Sequence, residues 1–404
     1  MSESGVAAAA PTVDPGSLDD LSLALLRRRR SAKWTTYPAD VLPAFVAEMD
    51  FPLAPPIRTL LAEAVERSDT GYPSPALLGE AFAGFAAARF GWEVAPARVR
   101  AAPDVMTAVT ELLRALTAPG EGVVVNPPIY PPFLGVTAEL GRRVVEAPLR
   151  HSERGFELDL DALETAFAGG ARTYLLCHPH NPTGRSFRRE ELQAIASLAL
   201  RYGVTVVSDE IHAPLTLPGA SHVPYLSLAG EAASHGVAVA GASKAWNLAG
   251  LKCALIVSGS DEMDARLEDA LPSHLRYHVG HLGVLASIVA FEHGGPWLDA
   301  VVAQLDRNRR SLETLVCSEL PGVVYVPPQA GYLAWLDCRR LGLGEDPAAV
   351  FLEHGRVALS PGPSFGTQGR GFARLNFATS SALLAEAVER MAAAVRTSAE
   401  AQSG

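Results

Sequence analysis

Cysteine, positive charge and long apolar runs are all scarce in this chain, and each scarcity removes a class of protein. Four cysteines in 404 residues (Cys177, Cys253, Cys317 and Cys338) are scattered, with no CxxC pair and no metal-ligand spacing. Clustered cysteines would mark a disulfide scaffold or a metal site, so no metal is expected and a reducing cytoplasm fits best. Lysine and arginine number 34 against 44 aspartates and glutamates, a net charge of −10. That balance argues against a general nucleic-acid binder, because phosphate contacts require clustered cations. The exception, Arg27-Arg28-Arg29-Arg30, reads as the solvated face of an early helix rather than as an anion-binding patch. No uninterrupted apolar stretch reaches bilayer-spanning length. No N-terminal stretch combines a charged start, an apolar core of roughly 7–15 residues and a small-residue cleavage site. Neither membrane insertion nor secretion is expected.

What is present is a large hydrophobic fraction, 48%, ample for a sizeable core in a chain long enough for two or three average domains. Helical periodicity alternates with short apolar runs, the pattern of βαβ units. Helices are expected at 56–67, 76–90, 105–117, 131–140, 159–168, 188–202, 274–293, 297–318, 346–354 and 381–396. Strands are expected at 122–125, 143–146, 172–177, 204–207, 237–241 and 253–257, each read as a buried parallel strand. The fold class is α/β: a mostly parallel sheet flanked by helices in a large domain at 51–293, plus a smaller α+β domain at 294–404. Strands at 322–325, 331–336, 356–359 and 372–376 build the smaller unit, which the segment 17–50 joins; residues 1–16 and the extreme C-terminus read as mobile tails.

Chemistry is signalled first by Gly241-Ala242-Ser243-Lys244-Ala245-Trp246-Asn247, where a lysine follows a hydroxyl among small apolar residues. Desolvation weakens a lysine's preference for the ammonium form and frees its amine to attack a carbonyl. Two upstream segments bear on it. His178-Pro179-His180-Asn181-Pro182-Thr183-Gly184 follows one apolar strand and Ser208-Asp209-Glu210-Ile211-His212 ends the next. In an open α/β sheet, ligands bind outside the carboxyl ends of the strands, where both segments fall. Taken singly, Asn181 is better read as a turn former and Asp209 as a helix N-cap. Their order with Lys244 is what those readings leave unexplained.

Asparagine after one strand, aspartate after the next and lysine after a third resemble the class I/II pyridoxal-phosphate aminotransferase family, of fold-type I. The branch of cystathionine β-lyases and cysteine C–S lyases is most similar, through Ala47-Glu48-Met49-Asp50-Phe51, Asp209-Glu210-Ile211-His212, Ser243-Lys244-Ala245-Trp246-Asn247, Tyr332-Leu333-Ala334-Trp335-Leu336-Asp337 and Arg374-Leu375-Asn376. The resemblance runs from about Trp34 to Arg390.

The resemblance implies pyridoxal 5'-phosphate as cofactor and assigns residues to it. Lys244 holds the cofactor as a Schiff base and moves the Cα proton. Asp209 pairs with the pyridine nitrogen, and Asn181 and His212 donate to the ring's phenolic oxygen. Tyr130 stacks on the ring. Backbone amides of Val105 and Met106 at a helix start, with Ser243 and Lys252, hold the phosphate; Asp104 itself is expected to cap that helix. Tyr72 reaches the phosphate of a neighbouring subunit, which implies a homodimer with shared active sites. Arg374, with Asn181, takes the substrate α-carboxylate through its planar fork. His212 stands where many aminotransferases of the family carry tyrosine, and this favours a lyase that turns L-cystathionine or a related cysteine S-conjugate into a thiol, pyruvate and ammonia. The alternatives are an aminotransferase joining an amino acid to a 2-oxo acid, and a binding protein that keeps the fold without turnover. Two positions depart from the branch: Gly241 replaces a frequent phosphate-binding hydroxyl, and Gly331 is expected to widen the pocket near the substrate side chain.

Overall fold

The computed structural model describes residues 18–152, 155–228 and 233–403, so the expected tail at 1–16 lies outside the described residues. A seven-stranded sheet forms the centre, in the spatial order Val99–Ala102, Ala254–Ser258, Gly236–Ala240, Thr205–Asp209, Thr173–Cys177, Gly122–Val125 and Arg143–Glu146. Six strands run one way, and Ala254–Ser258 runs antiparallel to both of its neighbours. The expectation of uniformly parallel strands therefore fails at Ala254–Ser258, because an apolar run carries no information about chain direction. Arg143–Glu146 is parallel as expected but not buried: as an edge strand it keeps two of its four side chains exposed.

Helices cover both faces of this sheet, as the fold class requires. Val105–Leu116 illustrates the cause: Ala108, Val109, Leu112, Leu113 and Leu116 fall three or four residues apart and are buried against the strands, so one stripe of the helix is apolar. Asp104 caps it, its Oδ1 accepting from the Thr107 N–H at 2.8 Å. The strand Val99–Ala102 and the helix Asp261–Ala270 were not expected; the helix buries only Met263 and Leu267, too narrow a stripe to stand out in a charged sequence. The helix expected at 274–293 starts only at His281, after a separate short turn at Leu275–Tyr277 and an extended Gly280.

A four-stranded antiparallel sheet follows, in the order Val324–Tyr325, Leu333–Asp337, Phe372–Asn376 and Ser360–Pro361. Its neighbours include the long helix Gly295–Glu319 and the last helix Ser381–Ser403, which continues through the end expected to be a tail. Alanine, glutamate and glutamine there favour helix. The early chain packs on this part: Leu42–Pro43 pairs in parallel with Val357–Ala358, and the Asp50 N–H donates to Ala378. The arginine run is not a helical face. Its helix is only Leu23–Leu26, Arg27 caps it, and Arg29 donates to the Met49, Asp50 and Phe51 carbonyls.

Candidate active site

Three adjacent parallel strands bring the motif residues together at their carboxyl ends. Asn181 follows Thr173–Cys177, its N–H donating to the Cys177 Sγ at 3.3 Å. Asp209 ends Thr205–Asp209 and accepts from the Ile211 N–H at 3.1 Å. Burial pushes its carboxyl up to about 7, opposed by that N–H and aided by the charge of neighbouring Glu210. Lys244 follows Gly236–Ala240 and donates from Nζ to the Ala47 carbonyl at 2.9 Å. Burial and the nearby Arg374 charge bring its amine down to about 8 against the pull of Asp209 and Glu48. A lysine in that state holds a substantial neutral fraction near pH 8, as a base or nucleophile requires.

Arg374 reaches the same space from the strand Phe372–Asn376. It donates to Asn181 Oδ1 at 2.9 Å, to the Phe45 carbonyl at 3.1 Å and to Ser360 Oγ at 3.0 Å, and lies 4.9 Å from the Phe365 ring centre. Burial lowers its guanidinium to about 10, which still leaves it charged near neutrality. Its Nε is buried without a partner, and so is Nδ1 of His212. A buried polar atom left alone costs about 1–3 kcal/mol, so these two nitrogens fit a site shaped for a polar, anionic ligand. His212 is held neutral, down to about 3, by burial and by the Lys244 and Arg374 charges.

The remaining expected residues are found in varied surroundings. The amides of Val105 and Met106 open the helix Val105–Leu116, where the first N–H groups lack intrahelical acceptors. Lys252, in a left-handed conformation, bonds Asp104 Oδ2 at 3.0 Å beside that helix start. Burial alone would raise the Asp104 carboxyl; the Thr107 N–H and Lys252 hold it below its ordinary value. Ser243 is partly buried, and its carbonyl accepts from the Leu248 N–H at 2.9 Å. Tyr130 is partly buried, edge-on to Phe133, and burial raises its phenol. Tyr72 is 91% exposed, with its ring packed against nothing among the described residues of its own chain. At Gly241 a Cβ would meet Ala254 Cα at 3.3 Å, too tight for an easy serine. Gly331 has φ 78°, and a Cβ there would meet His212 Nδ1 at 3.4 Å, an ordinary contact, so the left-handed backbone rather than lack of space favours glycine.

Several residues at the site carried no expectation. Tyr332 donates from its hydroxyl to the Ala47 carbonyl at 2.9 Å. Asn247 grips the Met49 peptide from both sides, accepting from its N–H and donating to its carbonyl at 2.9 Å each. Behind Asp209, Glu210 accepts from Ser208 Oγ at 2.9 Å and the Tyr225 N–H at 2.8 Å and meets His222 Nε2 at 3.0 Å. All but Tyr225 and His222, two of the partners of Glu210, sit in the motif segments read from the sequence, but hydrogen bonding to backbone leaves no residue-type signature. A separate cleft of about 1100 Å³ lies between the hairpin Arg150–Ser152/Gly155–Glu157 and the strand Leu333–Asp337, and none of Lys244, Asp209, Asn181 or Arg374 lines it.

The sequence model of the aminotransferase class I and II family matches residues 52–391. The chain belongs to that family. Among its members, a Mycobacterium leprae protein named "Putative cystathionine beta-lyase" is 46% identical, covering 94% of this chain and 98% of that one. "Cystathionine beta-lyase PatB" of Bacillus subtilis is 37% identical over 88% and 93% of the two chains. The crystal structure of a "putative plp-dependent beta-cystathionase" from Corynebacterium diphtheriae superposes with a TM-score of 0.89 at 36% identity, covering 93% and 98%. The family match at 52–391 takes in both the seven-stranded and the four-stranded sheet, the antiparallel strand Ala254–Ser258 among them.

Proposed function

We propose that this protein is a pyridoxal-phosphate-dependent carbon–sulfur β-lyase that cleaves L-cystathionine or a related cysteine S-conjugate, with water, to a thiol, pyruvate and ammonia. One observation carries the reading: Lys244, with its amine brought down to about 8, shares one buried space with Asp209, His212 and the Asn181–Arg374 pair. The relatives named as cystathionine β-lyases across nearly the whole chain support elimination over amino transfer.

The cofactor supplies an electron sink for the charge left at the substrate's Cα. Every other service comes from the chain. Arg374 and Asn181 hold the α-carboxylate and so fix the orientation of the Cα–H bond. Asp209 would pair with the pyridine nitrogen, whose positive charge would favour its carboxylate form. His212 and Asn181 would serve the phenolic oxygen, Tyr130 the ring face, and Val105, Met106, Ser243 and Lys252 the phosphate. Lys244 takes the Cα proton, and loss of the thiolate from Cβ completes the cleavage. Tyr72, exposed in one chain, reaches the active site of a second copy in a homodimer. The large unit spans 51–293 and the small one 294–404 with 17–50 joined to it, a division supported by the pairing of Leu42–Pro43 with Val357–Ala358. The protein works in the cytoplasm. Among the described residues no helix is long and apolar enough to cross a membrane.

The test is to incubate purified protein with L-cystathionine with and without a 2-oxo acid. Pyruvate and thiol formed without the acceptor are expected. Strict dependence on the acceptor would replace this reading with an aminotransferase.

A further inference from the structure

The segment from Phe45 to Met49 has no regular structure, yet each of its carbonyls is held by a side chain. Phe45 accepts from Arg374 and from Ser360 Oγ at 2.7 Å, and Asn376 Nδ2 donates to both Val46 and Glu48 at 2.7 Å. Lys33 also donates to Glu48 at 3.1 Å, and Asn247 and Arg29 donate to Met49. Backbone carbonyls turned into a protein need such partners. Ala47 accepts from Lys244 Nζ and the Tyr332 hydroxyl, both at 2.9 Å, and is the carbonyl of the five that bonds the site lysine.

One of those two donors has to move. On the reading of Lys244 given above, its amine leaves the carbonyl to bond the cofactor and is released again in each turnover. Tyr332 stays: its ring is fully buried, it precedes the strand Leu333–Asp337, and its own carbonyl accepts from the Phe377 N–H at 3.0 Å. We propose that Tyr332 is a positioning residue for Lys244, its hydroxyl keeping the Ala47 carbonyl satisfied whenever the lysine amine is away. The inference rests on Lys244 being the cofactor lysine. With Tyr332 present, the lysine leaves and returns without orphaning the carbonyl, and the carbonyl stays aimed at the place to which the amine returns. Without the hydroxyl, Ala47 has Lys244 as its sole donor and holds it more firmly.

Tyr332→Phe removes the hydroxyl and keeps the ring. In cofactor-free protein, carbamylation of Lys244 by cyanate at pH 8, read by mass spectrometry of its peptide, is expected to slow by roughly two- to tenfold, the worth of one hydrogen bond. The dissociation constant for pyridoxal phosphate is expected to rise by a similar factor. Tyr174→Phe removes a buried hydroxyl that bonds Asn126 away from the site; it should lower thermal stability and leave Lys244 labelling unchanged. Unchanged or faster labelling in Tyr332→Phe overturns the proposal, as does slower labelling with unchanged cofactor affinity, or equal slowing in Tyr174→Phe. Wild-type protein that takes up no cofactor would instead refute the reading of Lys244 itself, and the proposal with it.

Discussion

Replacing Arg374 by lysine keeps a positive charge at the carboxylate site but discards the planar fork. In the structure this guanidinium already spends donors on Asn181, Phe45 and Ser360, and its buried Nε is the one nitrogen without a partner. A carboxylate arriving there satisfies Nε and gains parallel bonds of the charge-assisted kind. Each such bond contributes about 1.5–3 kcal/mol. An ammonium on a shorter stem forms at most one of the pair, so the variant should lose one bond's worth, roughly 10- to 150-fold in kcat/KM. Most of the loss should fall on KM, because the carboxylate is gripped before and during reaction alike. The assay is pyruvate release from L-cystathionine, coupled to lactate dehydrogenase, with cofactor content of the purified variant measured alongside. Cofactor content should stay close to the wild-type level, since Asn181, at the phenolic oxygen, is the one proposed cofactor partner that Arg374 contacts, and the phosphate and ring-nitrogen partners are untouched. Activity within threefold of wild type would refute the carboxylate assignment; lost cofactor would place Arg374 at the cofactor instead.

Lys244→Ala should abolish pyruvate release and the visible absorption that a cofactor-bound lysine produces, and full activity in this variant rejects the mechanism. His212 is neutral in the fold down to about 3 but titrates near 6.5 when unfolded. The folded state therefore binds fewer protons across that window, and stability should fall as pH drops from about 6.5 toward 3. In His212→Gln that acid slope should be shallower by up to about 1.4 kcal/mol per pH unit, measured by urea unfolding at several pH values; an unchanged slope contradicts burial of a neutral imidazole. Gly331→Ala forces a side chain onto a backbone at φ 78°, and should cost about 1–3 kcal/mol, seen as a lower melting temperature. Mixing Tyr72→Ala with Lys244→Ala protein under conditions that exchange subunits should restore part of the activity if sites are shared, whereas two inactive parents and an inactive mixture would argue against sharing.

Asn181, Asp209 and Lys244 were legible in the sequence because each follows an apolar strand, and the sheet that carries those strands leaves them on one edge. Arg374 was legible because an arginine inside an apolar strand needs a reason. Strand direction was not: nothing in Ala254-Leu255-Ile256-Val257-Ser258 distinguishes it from its parallel neighbours, and only the chain's path sets its sense. The partners of Lys244 were also hidden. Ala47 contributes a carbonyl that every residue possesses, so its position at the site depends on Asn247, Asn376 and Tyr332 holding a segment far away in sequence. Lys252 was expected to face an anion and meets the Asp104 carboxylate, a pairing between residues 148 apart that no local pattern encodes. The arginine run misled for the same reason, since Arg29 is consumed by carbonyls some twenty residues downstream.

The route by which Ala47 reaches Lys244 also sets an order of events during folding. Phe45 is anchored by Ser360, 315 residues later, and Leu42–Pro43 pairs with Val357–Ala358. A chain emerging from the ribosome completes the sheet with Asn181, Asp209 and Lys244 long before it makes the strand that receives its own beginning. Closing so long a loop is an unfavourable late step for which the reward comes only at the end. Until then the lysine lacks its carbonyl, so a nascent or truncated chain can possess every residue of the large sheet's site and still be unable to hold its amine in place. Competence for catalysis is thereby postponed until synthesis is nearly finished.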